Sequence, residues 1–268
     1  MVPAPFNPET CAMCGRYTIT SAPEAIRALF RYAEQPNFPA RYNIAPTQPI
    51  QIVRLDNGER HFALVRWGLL PSWVKDPKAF TLLINARSDS VLGKPAFRNA
   101  MRRRRCLIPA DGFYEWQETG GGPKRPFYIR AKDGKPFAFA GLWECWTGPN
   151  GEEMETAAIV TTDANRTLMP IHNRMPVIVP PEAYDLWLDC AKVDATTAAA
   201  VLAPAREGLL EAYPISTAVN RVANDDPRLI EPLAPGDVAP APKPAAKPQP
   251  EPKPAAKRKK DSGQASLF

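Results

Sequence analysis

Between residues 50 and 179 the apolar positions fall in short runs bounded by turn residues, the signature of strands rather than helices. Strands are expected over 50–55 and 60–67, on either side of Asp56-Asn57-Gly58, a strong hairpin signal. Further strands are expected over 107–109, 113–117, 127–130, 137–142, 154–161 and 175–179, with turns at Gly120-Gly121-Gly122 and Asp133-Gly134. Helical spacing is rarer. Ser21, Pro23 and Glu24 open a short helix whose Ile26, Leu29 and Phe30 share one face, and two more helices are expected over 181–190 and 195–202. Helices are too few and wrongly placed for repeated βαβ units. The pattern therefore predicts a β-rich α+β fold around an antiparallel sheet or barrel, with a few peripheral helices. No internal repeat is visible.

Composition divides the chain. Eight of its 32 prolines lie among Ala, Lys and Gln in residues 234–268, a composition that cannot bury enough surface to offset ordering entropy. Three prolines mark residues 1–12 as an unstructured leader, which leaves 13–233 as the folded body. The 234–268 segment holds seven basic and three acidic residues, +4 of the chain's +6, so the body itself is only slightly basic. Charge alone is thus no argument for nucleic-acid binding; a local basic cluster is needed. No apolar run approaches membrane-spanning length, and the N-terminus lacks the pattern of a secretory signal. Five cysteines, an odd number in a chain of this size, point to free thiols and a reducing cytoplasm.

Candidate chemistry is scattered. Cys14 follows an internal Met in Met13-Cys14-Gly15-Arg16-Tyr17 and forms a CxxC with Cys11, the spacing of a redox pair or half a zinc site. No second CxxC completes a zinc site, so no metal or other cofactor is expected. Cys106, Cys145 and Cys190 sit in apolar or aromatic surroundings suited to packing. His61 belongs to an alternating strand, whereas His172 lies in an irregular segment between strands, where functional groups concentrate. Glu115 is flanked by Tyr114 and Trp116, and desolvation there would raise a carboxyl pKa toward the general-acid range. Asn85 and Arg87 alternate, so both side chains can enter one cleft. Arg98 and Arg102 to Arg105 form the basic cluster, and Arg mixed with aromatic residues suits single-strand binding.

Together these segments resemble the SRAP family, the SOS-response-associated peptidase fold that includes abasic-site shield proteins, over roughly residues 13–232. Six ordered blocks carry the resemblance: Cys14-Gly15-Arg16-Tyr17; Arg41-Tyr42-Asn43-Ile44-Ala45-Pro46; Trp67-Gly68-Leu69-Leu70-Pro71-Ser72-Trp73; Ile84-Asn85-Ala86-Arg87; Arg105-Cys106 through Trp116; and His172-Asn173-Arg174-Met175-Pro176-Val177. The resemblance implies that Cys14 becomes the first residue and bonds to the abasic deoxyribose, with Asn85, Glu115 and His172 at active-site positions. It implies phosphate contacts from Arg16, Arg87 and Arg174, a further DNA contact from Thr161, and a base-unstacking wedge of Pro46 and Trp73. Val74 stands where some members carry a second Trp, and Asn173 replaces the commoner Asp beside His172.

What such a protein would do follows from its first residue. An N-terminal Cys offers an amine and a thiol on adjacent carbons, which together convert an aldehyde into a thiazolidine. The expected partner is single-stranded DNA with abasic sites, the expected state a monomer in the cytoplasm associated with the nucleoid. Lyase and self-processing peptidase activities are compatible with the resemblance. Two rivals differ in kind: a cysteine peptidase or amidohydrolase using Cys14 with His172, and a non-covalent single-strand binding module. At the C-terminus, Gln264-Ala265-Ser266-Leu267-Phe268 resembles the QxxLF peptide that docks on the replicative sliding clamp, with Gln264, Leu267 and Phe268 as its contacts.

Overall fold

The computed structural model describes residues 15–234, so Cys11, Cys14, the leader and the C-terminal motif lie outside the described residues. In chain order the elements are β1 (Tyr17–Ile19), α1 (Pro23–Phe30), β2 (Arg41–Ile44), β3 (Pro49–Asp56), β4 (Glu59–Trp67), β5 (Asn85–Arg87), α2 (Arg98–Arg103), β6 (Arg105–Ala110) and β7 (Gly112–Gln117). There follow β8 (Arg125–Ala131), β9 (Phe137–Thr147), β10 (Glu153–Asp163), β11 (Arg174–Pro176), β12 (Ile178–Val179), α3 (Tyr184–Leu188), α4 (Ala195–Ala199) and β13 (Leu210–Pro214).

Five of these strands close on themselves. β10 pairs β4, and the order runs through β3, β6 and β9 back to β10, each pair antiparallel except β10 with β4. Closure removes exposed sheet edges and leaves one shared core, in which Trp67, Leu107, Phe139 and Ile159 are buried. A second sheet, ordered β13-β8-β7-β1-β2, packs on this barrel through aromatic edges: Tyr17 meets Trp67 and Phe139 at centroid distances of 5.4 and 5.9 Å. The expected β-rich α+β architecture is therefore correct.

The hairpin joining β3 and β4 turns at Asn57 and Gly58, both at positive φ (49° and 86°), as a two-residue connection of right-handed strands requires. α1 opens at Pro23 but without the expected Ser21 cap. Ser21 instead donates its amide and hydroxyl to the Asp111 carboxylate, tying the helix entry to the turn between β6 and β7. Two expected helices are shorter than their patterns, because the chain turns at Asp189 and at Ala200. The strand expected over 175–179 divides into β11 and β12. Val177 sits at the break, taking its amide to the Val160 carbonyl and offering its own carbonyl to Ala140, so the chain crosses there from β10 to β9.

Candidate functional site

One end of β10 gathers residues from three chain segments. β5 pairs parallel to it with Asn85 against Ile159 and Arg87 against Thr161, while β11 pairs on its other side with Arg174 against Asp163. Arg174 is buried. It donates to the Thr161 carbonyl and to Asp163 Oδ1, both at 2.8 Å. Arg87 lies at the surface and directs three hydrogen bonds to Asp89, the shortest 2.6 Å from Nη2 to Oδ2. The same Asp89 oxygen is 3.8 Å from Arg174 Nη1. The adjacent Arg87 guanidinium holds the Asp89 carboxyl below its ordinary pKa. Arg87, Thr161 and Arg174 thus adjoin on neighbouring strands, and Asp89 and Asp163, which the sequence reading overlooked, partner them. Asp89 lies two residues beyond Arg87 and was the only one with a nearby sequence signal.

A second group forms where β7 meets β1. Tyr17 pairs with Phe113, and the Tyr114 amide donates to the Arg16 carbonyl at 3.0 Å. Continued one step, that register counts Gly15 against Glu115, whose side chain is only 3% exposed. Cys14 is covalently the next residue, one peptide bond or 3.8 Å of Cα spacing away. The segment carrying His172 reaches the far end of β7, where Gln117 Nε2 donates to the Pro170 carbonyl at 2.9 Å. The Arg174 amide donates to His172 Nδ1 at 3.1 Å. The same Nδ1 lies 3.2 Å from the Arg174 carbonyl, so the Arg174 backbone offers this nitrogen both a donor and an acceptor and orients the ring in either tautomer.

The other motif residues have distinct surroundings. Arg16 is buried, with Nη1 donating to Asn43 Oδ1 and to the Val219 carbonyl, each at 2.9 Å. Asn43 in turn donates to the carbonyls of Val219, Arg221 and Asn224, and Asp225 binds Arg41 and the Tyr42 amide. The 41–46 block therefore fastens the C-terminal loop across β2, beside Arg16. Trp67 donates Nε1 to the Ile84 carbonyl at 3.0 Å, which places β5. Gly68 follows at φ 128°, a conformation that residues with a side chain rarely adopt, and a Cβ there would also have to displace the Leu82 Cδ1 methyl, so glycine relieves strain at this turn. Beyond it, Trp73 is 58% exposed and packs edge-on against Phe80, whereas Pro46 is buried and Val74 is buried against Trp146.

The basic cluster does not form one cationic face, a correction to the sequence reading. Arg105 is 1% exposed and donates to the carbonyls of Met101, Trp187, Asp189 and Val193. Arg104 pairs at 2.6 Å with the buried Glu144, which leaves Arg102 and Arg103 exposed. Backbone carbonyls crowded at the ends of α2 and α3 claim the guanidinium that spacing alone offered to DNA. Cys106 is buried, His61 pairs with Glu34 at 2.8 Å, and neither meets the site strands described above. Among the described residues no group of three or more His, Cys, Asp or Glu could hold a metal ion, and no helix is long and apolar enough to cross a membrane.

A five-stranded barrel bearing a second antiparallel sheet, with residues of separate sequence segments meeting at its strand ends, defines a β-barrel class with a site built from distant segments. The family model described as SOS response associated peptidase (SRAP) matches residues 13–222, and the chain belongs to that family. It is 38% identical over 222 residues to abasic site processing protein YoqW of Bacillus subtilis, covering 82% of this chain and 99% of that one. It is 37% identical over 205 residues to abasic site processing protein HMCES of Gallus gallus, covering 68% and 60% respectively. A crystal structure of a protein from Bacteroides thetaiotaomicron superimposes with a TM-score of 0.73 at 27% identity, covering 82% of this chain and all (100%) of that one.

Proposed function

We propose that this chain processes abasic sites in DNA, capturing them in single strands as a covalent thiazolidine on Cys14. The observation that supports this most is the register of β1 on β7, which counts the buried Glu115 against Gly15, next in sequence to Cys14. The relatives named as abasic site processing proteins support the substrate class.

The chemistry balances without a cofactor. The open-chain sugar presents an aldehyde at C1′. The Cys14 α-amine condenses with it to an imine and releases one water. The Sγ–H bond then adds across C=N, forming S–C1′ and returning the proton to nitrogen. Glu115 carries protons between amine, carbinolamine and sugar oxygen, and Asn85 holds the amine in place. His172 supplies a proton to the ring oxygen as the sugar opens. Arg87 and Arg174 bind the backbone phosphates, Arg16 and Thr161 line the approach, and the wedge of Trp73 and Pro46 stacks against bases parted at the lesion, with Trp73 the exposed face. A free amine on Cys14 requires that Met13 and anything before it be absent from the mature protein.

Incubation with an abasic single-stranded oligonucleotide, followed by denaturing electrophoresis after heating in detergent, tests the proposal. A slower band that disappears in Cys14→Ala is expected. Peptide turnover without DNA would favour the hydrolase, and binding that Cys14→Ala leaves unchanged, with no heat-stable band, would favour a plain binding module.

A further inference from the structure

Arg87 and Arg174, the two guanidiniums placed on either side of β10, are not presented bare. All three hydrogen bonds given for the Arg87 guanidinium go to Asp89, whose Oδ2 also stands 3.8 Å from Arg174 Nη1. Asp89 therefore lies between two cations whose natural ligand, on the reading above, is a phosphodiester. A carboxylate and a phosphodiester both offer paired oxygens to a guanidinium fork, so each can satisfy the same donors.

The three partners differ in how firmly they are held. Arg174 is buried and fixed by the Thr161 carbonyl as well as by Asp163. Asp89 has half its side chain exposed (50%), and the turn that carries it closes through backbone bonds, Ser90 amide to Arg87 carbonyl and Lys94 amide to Ser90 carbonyl. Its carboxylate can leave without unfolding the turn. Asp163 touches Arg174 but no bond joins it to Arg87 among the described residues.

We infer that Asp89 is a built-in counter-anion that neutralises the Arg87–Arg174 pair in the free protein, is displaced by a DNA phosphate, and thereby sets the affinity and salt dependence of binding. The inference rests on the DNA-binding reading above and deepens it. An arginine already neutralised by a carboxylate brings less positive charge to the phosphates and releases fewer of the cations condensed on the DNA, so the carboxylate costs affinity and flattens the salt response. The opposite role, in which Asp89 pre-aligns Arg87 for phosphate, predicts the opposite sign.

The test is fluorescence anisotropy of a labelled, undamaged single-stranded oligonucleotide with the full chain at several salt concentrations. Undamaged DNA keeps covalent capture out of the measurement. Asp89→Asn should bind about 1.5- to fivefold more tightly at low salt, the range of one exposed charge pair. Its slope of log K against log salt should steepen by up to about one unit. Asp89→Ser should shift both quantities in the same direction. In an Arg87→Ala background the gain from Asp89→Asn should shrink, which a diffuse charge effect would not do. Wild-type binding with an equal or weaker Asp89→Asn overturns the inference and leaves the DNA reading intact. No binding by either protein at any salt refutes that reading, and the inference with it.

Discussion

The carbonyl of Arg16 accepts the amide of Tyr114 at 3.0 Å, and this bond couples the start of the described chain to the strand that carries Glu115. A buried carboxylate on a strand ordinarily demands an internal partner. By register the cross-strand neighbour of Glu115 is Gly15, immediately after the position that the proposed chemistry requires to be a free amine. Arg16 reinforces the arrangement from its side chain, since its guanidinium is fastened to Asn43 and the Val219 carbonyl. Arg16, two residues after Cys14, is thus held to the second sheet by its backbone at β7 and by its side chain at β2.

Trp73 is the large aromatic side chain most open to a base. Trp73→Ala should weaken binding to an oligonucleotide with a single-to-double-strand junction by about 1–3 kcal/mol, the usual value of one base–aromatic stack. Thermal unfolding should barely move, because the side chain is 58% exposed. Unchanged affinity in a titration of this variant would remove Trp73 from the interface.

Arg105 should behave as a core residue despite its place in a basic run. Arg105→Ala leaves four backbone carbonyls short of a donor, so a loss of about 3 kcal/mol or more is expected in urea unfolding. Arg105→Lys should recover little, since an ammonium cannot span the fork. A loss of DNA affinity without any loss of stability would contradict this assignment.

How much of this was open to the sequence depends on element length. β3, β4, β9 and β10 run for eight or more residues and hold apolar runs bounded by turn residues, so they could be read directly. β1, β2, β5 and β13 have three to five residues, too few to show a period; β1, β5 and β13 are set by pairing with the longer β7, β10 and β8, and β2 by pairing with β1. α2 was hidden among arginines: only Ala100 and Met101 face inward, so no apolar stripe appears. Of the site, Asn85, Arg87 and Arg174 are legible as motif residues. Asp163 is not, because its pairing with Arg174 arises only when β11 folds back on β10. Burial was equally invisible: Pro46 and Trp73 read as one wedge, yet only Trp73 is exposed.

Glu144 gives a pH test of the barrel. Burial pushes its carboxyl pKa up, and the Arg104 guanidinium pulls it back only in part. A folded pKa above the unfolded one contributes stability that is full below the unfolded value and is lost as pH rises through the folded one. The stability of wild type relative to Glu144→Gln should therefore fall in urea unfolding as pH rises past the ordinary glutamate pKa. A difference that grows with pH would mean that the Arg104 pair outweighs burial.

The C-terminal motif makes a separate prediction. A peptide of the last fifteen residues should bind purified sliding clamp in a calorimetric titration, with Leu267 and Phe268 filling an apolar pocket and Gln264 bonding at its edge. Leu267→Ala combined with Phe268→Ala should abolish binding and leave covalent capture by the rest of the chain unchanged. No heat from the wild-type peptide at high micromolar clamp would make the resemblance coincidental.

Peptide sequencing of the covalent product by mass spectrometry decides whether Cys14 carries the sugar. The protein is incubated with an abasic single-stranded oligonucleotide, digested with nuclease and protease, and sequenced by mass spectrometry. The expected product is a peptide that begins at Cys14 and carries the abasic sugar phosphate, with a mass equal to the sum of the two parts less one water. Glu115→Gln should give the same product at a rate lower by about a hundredfold, within the usual range for a lost proton-transfer group. A crosslinked protein that still begins at Met1, or a sugar attached at any residue other than Cys14, would contradict it.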